Sequence, residues 1–162
     1  MDGNGRWAEN KGKPRIFGHK YGAKSLKNII RACPHYGITH LTAYAFSPEN
    51  WTRSQAEVSG LMRLFQLYLQ FYTEELHKEG VQLRIIGNTQ PLAPELQKWI
   101  RYAEEKTQNN AGLMLQIALN YGGQDDILQA TKILIAQCQS LHIDPKTLNK
   151  QDFAQALWTK NI

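Results

Sequence analysis

Asp2-Gly3-Asn4-Gly5-Arg6-Trp7 sets a carboxylate, two glycines, an amide and a guanidinium side by side near the start of the chain. Glycines tolerate positive φ and let the backbone come close to a ligand. Successive free N–H groups then form an anion cradle, strongest at the start of a helix. Arg6 adds a forked donor suited to phosphate oxygens. A carboxylate is repelled by a bare phosphate, whereas Mg2+ is commonly held by a carboxylate together with substrate phosphates. The string therefore suits a metal–diphosphate site with Asp2 on the metal, and equally an Asn-Gly turn that opens a helix.

A second polar cluster, Ser47-Pro48-Glu49-Asn50-Trp51-Thr52-Arg53, directly follows the β-forming run 39–46. In open α/β sheets the ligand site lies at the carboxyl ends of the strands, where this cluster falls. The same residues also suit a strand-to-helix turn, with Pro48 fixing φ and Ser54 capping the next helix. His19, beside Lys20 and Lys24, reads either as a surface histidine or as a phosphate donor.

The elements that must position these groups follow from hydrophobic periodicity. A helix is predicted over 18–36, stopped by Pro34 and Gly37. Strands are predicted over 39–46, 81–87 and 113–120, and helices over 54–80, 93–108, 124–140 and 152–158. Asp125 and Asp126 fall in a helix first turn, where negative charge suits the dipole. Alternating helix and strand implies a single α/β domain with a mainly parallel sheet flanked by helices. The helix over 54–80 has an apolar arc of roughly 200°, about twice the ~100° stripe that packs on one sheet. It is predicted to be buried on two sides or to line an apolar cavity, with Thr73 on its polar strip.

The chain has 162 residues, 42% hydrophobic and 20% charged, which marks a globular domain with a real core. No apolar run approaches the roughly 18–20 residues of a membrane span, and no stretch reads as a secretory signal. Cys33 and Cys138 form no CxxC pair and read as core thiols. Residues 1–24 hold six basic and two acidic groups, against 13 and 12 in the remainder. The net charge of +5 is thus concentrated beside the glycine-rich start, which favours an anionic ligand there. No nucleic-acid motif accompanies it, so nucleic acid is not expected as the partner.

With these motifs in hand, the chain resembles the cis-prenyltransferase family, in its bacterial undecaprenyl diphosphate synthase-like branch. The blocks that carry the resemblance are Met1 to Ala8, Arg15 with Gly18-His19, Tyr44 to Arg53, Leu83 to Gly87 and Asn120-Tyr121-Gly122-Gly123. Gln124 departs from the arginine common after that last turn. The resemblance implies a partial domain over 1–162, lacking the family's first strand and a carboxy-terminal segment with a second diphosphate motif and a metal-sharing glutamate.

It further implies that isopentenyl diphosphate is condensed in cis onto farnesyl diphosphate, giving a long polyprenyl diphosphate of the kind that carries cell-wall (peptidoglycan) precursors. Asp2 would carry Mg2+. Gly3, Asn4, Gly5, Arg6, Arg15, His19 and Arg53 would hold the allylic diphosphate, and Ser47 and Asn50 would bear on the bond-forming region. Pro48 and Glu49 belong to the same substrate loop. Trp7, Phe46 and Trp51 would pack the isoprenoid, and Leu61, Leu64, Phe65 and Ile85 would wall the tunnel of a growing chain. A homodimer in the full-length protein, a cytoplasmic location at the inner membrane face and delivery of product to the membrane complete the expectation. The alternatives are a non-catalytic prenyltransferase-like subunit or isoprenoid diphosphate-binding fragment, and a generic nucleotide or nucleic-acid binder.

Overall fold

The computed structural model describes residues 2–160, so Met1 of the opening block and the last two residues of the expected domain lie outside the described residues. Three parallel strands, β1 (His40–Phe46), β2 (Gln82–Ile86) and β3 (Met114–Leu119), form a sheet in the order β1-β3-β2. Met114 is in register with both His40 and Gln82, and the β1–β3 ladder slips once, between Tyr44 and Phe46. Parallel strands of one sheet need long crossovers. Helix α3 (Gln55–Lys78) supplies one between β1 and β2, and α4 (Pro94–Thr107) supplies the next. Helices α1 (Asn4–Glu9) and α2 (Arg15–Ala32) precede the sheet, and α5 (Gly123–Leu141) and α6 (Lys150–Ala156) follow it. The expected α/β domain with a parallel sheet is what forms.

The central strand β3 is the most buried, and its Leu115, Ile117 and Leu119 are core residues. The outer edge of β2 is closed by side chains. Glu104 Oε1 accepts from the Ile85 N–H at 2.8 Å, Thr107 Oγ1 accepts from the Leu83 N–H at 3.0 Å, and Asn110 Nδ2 donates to the Val81 carbonyl at 2.7 Å. An edge so occupied offers no ladder to another strand.

Helices α2 and α3 run in the same direction. Their contacts rise together along both chains, from Arg15–Glu57 through Lys20–Tyr68 and Lys27–Glu75 to Arg31–Glu79.

Several boundaries differ from the sequence expectation. Helix α2 begins at Arg15 and gives way to a 3-10 turn over Cys33–Tyr36, because Pro34 has no N–H to continue an α-helix. The glycine-rich start is itself a short helix, α1, and the polar loop after β1 winds into a 3-10 turn over Pro48–Thr52. Ser54 caps α3 by accepting from the Glu57 N–H. Trp99 of α4 is only half-buried and donates to Glu95 at 3.1 Å. Thr73, expected on the polar strip of α3, is buried, with its hydroxyl donating to the Leu69 carbonyl at 2.6 Å. The wide apolar arc is split: Leu61, Phe65 and Leu69 face inward, while Phe71 is 72% exposed. Cys33 and Cys138 are buried and unpaired, as expected.

Candidate active site

The opening motif is held by packing of α1 on α2. Gly3 adopts φ 81°, a left-handed conformation that glycine takes without strain, and from there the chain turns into α1. A Cβ on Gly18 would stand 1.8 Å from the Asn4 carbonyl oxygen, so the two helices touch backbone to backbone only because α2 has a glycine there. Gly5 is covered by the Arg15 guanidinium, whose Cζ would lie 2.7 Å from an added Cβ. Arg15 is thereby stacked over the motif.

Asp2 stands at the rim. Its Oδ1 accepts from the Gly3 N–H at 2.6 Å and its Oδ2 from Arg6 at 3.3 Å. These contacts, first the backbone N–H and then the Arg6 charge, lower its pKa, so the carboxylate stays ionised. Its side chain is 90% exposed. Among the described residues no group of three or more His, Cys, Asp or Glu side chains is arranged to hold a metal. A resident metal cage is therefore not built from these residues. A single ionised carboxylate at a rim of phosphate donors does fit Mg2+ carried in with a diphosphate, since that ion uses one or two carboxylates plus phosphate oxygens.

Behind the rim, three cationic or donor side chains converge on one carboxylate that sequence reasoning missed. Glu57 Oε1 accepts from Arg15 Nε at 3.1 Å and from Arg53 Nη1 at 3.0 Å. His19 Nε2 lies 3.6 Å from the same oxygen, too far to bond. Arg15 also reaches Glu9 at 2.9 Å. Burial pushes the Glu57 carboxyl up, but the two guanidiniums outweigh it and hold the group below its usual value. Burial likewise lowers His19, against the pull of Glu57, and its Nε2 is a buried nitrogen with no hydrogen-bond partner. An orphaned buried donor or acceptor is costly unless a ligand completes it. Arg15, Arg53 and His19 line the cavity described below and Glu57 does not, so Glu57 stands behind them. The signal for it was local: Ser54-x-x-Glu57 has the form of a helix-start capping pair, and Arg53 lies four residues ahead of Glu57.

Both shifts make the fold acid-sensitive. A carboxyl with a depressed folded pKa stabilises above its unfolded value and loses that stability as pH falls through the folded one. His19, also depressed, favours the neutral form, so the unfolded chain binds its proton first as pH drops below about 6.5. The urea midpoint is expected to fall from pH 7 toward pH 4, and His19→Gln to flatten the first part of that decline. A pH-independent midpoint in the parent protein would contradict both assignments.

The mouth opens into a cavity of about 220 Å³ between α2, α3 and the sheet. Its polar rim includes Asp2 to Arg6, Arg15, His19, Asn50 and Arg53. Asn50 Oδ1 is occupied by the Ser47 N–H at 3.2 Å, which leaves the amide nitrogen as its free polar end. The body is apolar, with Leu61, Leu64, Phe65, Ile85, Leu115 and Ile117 on its walls. At the far end the helices are tied by Lys27–Glu75 at 2.7 Å, Arg31–Glu79 at 2.9 Å and an Arg31–Glu75 pair, and Lys27 lies 4.4 Å above the Tyr72 ring.

Not every expected site residue reaches this cavity. Trp7 stacks on Phe17 and Tyr21 on the outer side of α2, and Phe46 is a core residue, 1% exposed. Trp51 packs on Phe46 and donates to Asn120 at 2.8 Å. None of these three aromatic rings is on the cavity wall as expected, because each has a partner elsewhere. Ser47, Pro48 and Glu49 shape the turn that carries Asn50 rather than line the cavity; the Ser47 hydroxyl bonds the Glu49 carboxylate and lowers its pKa. Asp126 is buried and accepts from the Trp158 N–H at 2.8 Å and from Gln129 at 2.9 Å, fixing the tail to α5.

A prenyltransferase family model, described as undecaprenyl diphosphate synthase, matches residues 1–162. A ditrans,polycis-undecaprenyl-diphosphate synthase, (2E,6E)-farnesyl-diphosphate specific, from Pasteurella multocida is 47% identical over 99% of this chain and 67% of its own length. An isoprenyl transferase from Clostridium perfringens is 41% identical over the whole chain and 64% of its own length. The chain thus spans about two thirds of the length of these curated relatives. A crystal structure of lavandulyl diphosphate synthase from Lavandula x intermedia, in complex with dimethylallyl diphosphate, superimposes with a TM-score of 0.94 at 34% identity, covering all of this chain and 70% of that one.

Proposed function

Because the chain belongs to the undecaprenyl diphosphate synthase family of prenyltransferases, we propose that the whole protein condenses isopentenyl diphosphate in cis onto farnesyl diphosphate to build a polyprenyl diphosphate. The observation that carries the reading is a donor-rich rim joined to an apolar cavity, the two halves of an allylic diphosphate. Incorporation of radiolabelled isopentenyl diphosphate into a butanol-soluble product tests it. Competition by farnesyl diphosphate but not by ATP separates it from a nucleotide binder, and absence of incorporation would favour the non-catalytic subunit.

In this reaction the allylic carbon–oxygen bond breaks, that carbon joins the terminal alkene carbon of isopentenyl diphosphate, and a proton is lost. A diphosphate departs readily only when fixed donors meet its developing charge. Arg15 and Arg53, held by Glu57, and His19 with its unpartnered Nε2, present such donors at the rim, beside the backbone of Gly3, Asn4 and Gly5. Mg2+ held by Asp2 would add charge neutralisation at the leaving diphosphate. Asn50, an amide and so a poor base, orients the reacting groups. Arg15→Ala is expected to weaken farnesyl diphosphate binding by roughly 10- to 100-fold, the worth of a charged hydrogen bond. Titration calorimetry returning the parent affinity would remove Arg15 from the phosphate site.

The tail occupies the apolar body, where each added C5 unit gains about 3–4 kcal/mol of burial at ~0.8 kcal/mol per CH2. Product therefore stays bound between additions. Leu64, half-buried on the wall, faces that path. Leu64→Trp is expected to shorten the product by one or more C5 units on reversed-phase thin-layer plates, and an unchanged ladder would exclude it from the path. A C55 carrier lipid for cell-wall synthesis is the product the family suggests. The homodimer we propose for the whole protein would find an apolar surface on α5, where Ile127, Leu128, Ile135 and Leu141 are exposed.

A further inference from the structure

Trp7, Phe17 and Tyr21 form one aromatic cluster on the outer side of α1 and α2. Trp7 and Phe17 are stacked with centroids 6.2 Å apart, and Tyr21 lies 5.2 Å from Trp7 and 4.7 Å from Phe17. Trp7 is 38% and Tyr21 49% exposed, so the cluster is a surface feature rather than a core. Single exposed rings are ordinary, but contiguous apolar patches rimmed by charge mark interaction sites.

The rim here is of one sign. Lys11 Nζ sits 4.6 Å above the Trp7 ring. On α2, Phe17, Lys20, Tyr21 and Lys24 follow the i, i+3, i+4, i+7 spacing of a single helical face. The nearby acids are already neutralised, since Glu9 is paired with Arg15 and Asp2 with Arg6. Lys11, Lys20 and Lys24 carry no carboxylate partner among the described residues. Three uncompensated ammonium groups thus surround three aromatic rings, two of which have a polar atom to leave in water.

We infer that this face docks the protein on an anionic lipid surface, with the Trp7 and Tyr21 rings at headgroup depth and the lysines against lipid phosphates. Amphipathic rings favour that depth, and basic residues near an anionic leaflet each add affinity. Among the described residues no helix is long and apolar enough to cross a membrane, so attachment would be peripheral. The same short helix α1 carries the cavity rim on one side and Trp7 on the other, which sets the rim beside the lipid surface. The inference rests on the proposed function only for the reason a membrane is needed, namely a hydrocarbon product that water does not dissolve.

Vesicle co-sedimentation tests it without any substrate. The protein is expected to pellet with vesicles of phosphatidylglycerol and phosphatidylcholine, to stay in solution with phosphatidylcholine alone, and to be released by salt. At about fivefold per basic residue, Lys11→Gln/Lys20→Gln/Lys24→Gln should lower partitioning roughly a hundredfold. Tyr21→Ser alone should lower it several-fold, and circular dichroism should report both variants folded. Equal binding to neutral and anionic vesicles, parent-like binding by the folded triple variant, or preference for a single-stranded oligonucleotide over anionic vesicles would each overturn the assignment. Since the assay contains no diphosphate, its failure leaves the transfer reading standing, and absent turnover leaves the vesicle result standing.

Discussion

Asp2→Ala in the whole protein is expected to cut Mg2+-dependent condensation by at least about a thousandfold, some 4 kcal/mol in the barrier, while leaving the fold intact. The two halves of that expectation have separate grounds. Asp2 lies at the rim of the donor-lined cavity and is kept ionised by the Gly3 N–H and Arg6, which is what a metal-bearing carboxylate requires. Yet its side chain is 90% exposed and covers no core, so a thermal midpoint should barely move. Isopentenyl diphosphate incorporation measured beside a melting curve reads both. Near-parent turnover would sink the metal role, and a lost fold would mean that α1 depends on the carboxylate as a cap.

Glu57→Gln should raise KM for the allylic diphosphate by about 10- to 100-fold, from hydrogen bonds to charged groups worth about 1.5–3 kcal/mol. Glu57 touches no cavity surface, so the effect must pass through Arg15 and Arg53. Without its charge the two guanidiniums repel and swing from the rim. Glu57→Asp keeps the charge and should recover part of the loss, a rescue that simple packing would not give. The KM for isopentenyl diphosphate should change little. Equal KM values for the Glu57→Gln variant and the parent protein would show that the arginines are oriented without this carboxylate.

Much of this site was legible in the sequence, for physical reasons that differ by residue. Asp2, Gly3, Asn4, Gly5 and Arg6 announce themselves because glycine beside charge has few structural uses, and the structure sets them on one rim with Arg15, His19, Asn50 and Arg53. The arc on α3 is too wide for one sheet, which leaves two-sided burial or a cavity open; Leu61, Leu64 and Phe65 of that arc, with Ile85 of β2, line a cavity. Trp7, Phe46 and Trp51 lie off the cavity wall, a placement the sequence cannot show because an aromatic residue beside a site motif does not disclose which way its ring turns. That is decided by tertiary partners, Phe17 and Tyr21 for Trp7 and Asn120 for Trp51. Glu57 has a local signal in Ser54-x-x-Glu57 and Arg53, but its tie to Arg15 appears only when residues 42 positions apart meet. Thr73 was placed outside by helical angle alone, whereas its hydroxyl is satisfied within its own helix and can be buried at little cost.

The common direction of α2 and α3 has a consequence for which way round a substrate can sit. Each helix carries roughly half a positive charge at its start and half a negative one at its end. Aligned in parallel, the two starts, near Arg15 and Gln55, lie at the donor-lined rim, while Arg31 and Lys78 stand at the opposite ends. The space between them is therefore an electrically polarised sleeve. At the rim the two helix starts add to the donors already there, by about 0.3–1 kcal/mol each and within one turn. At the far end Lys27 and Arg31 are already paired with Glu75 and Glu79, so an anionic head is held more strongly at the rim.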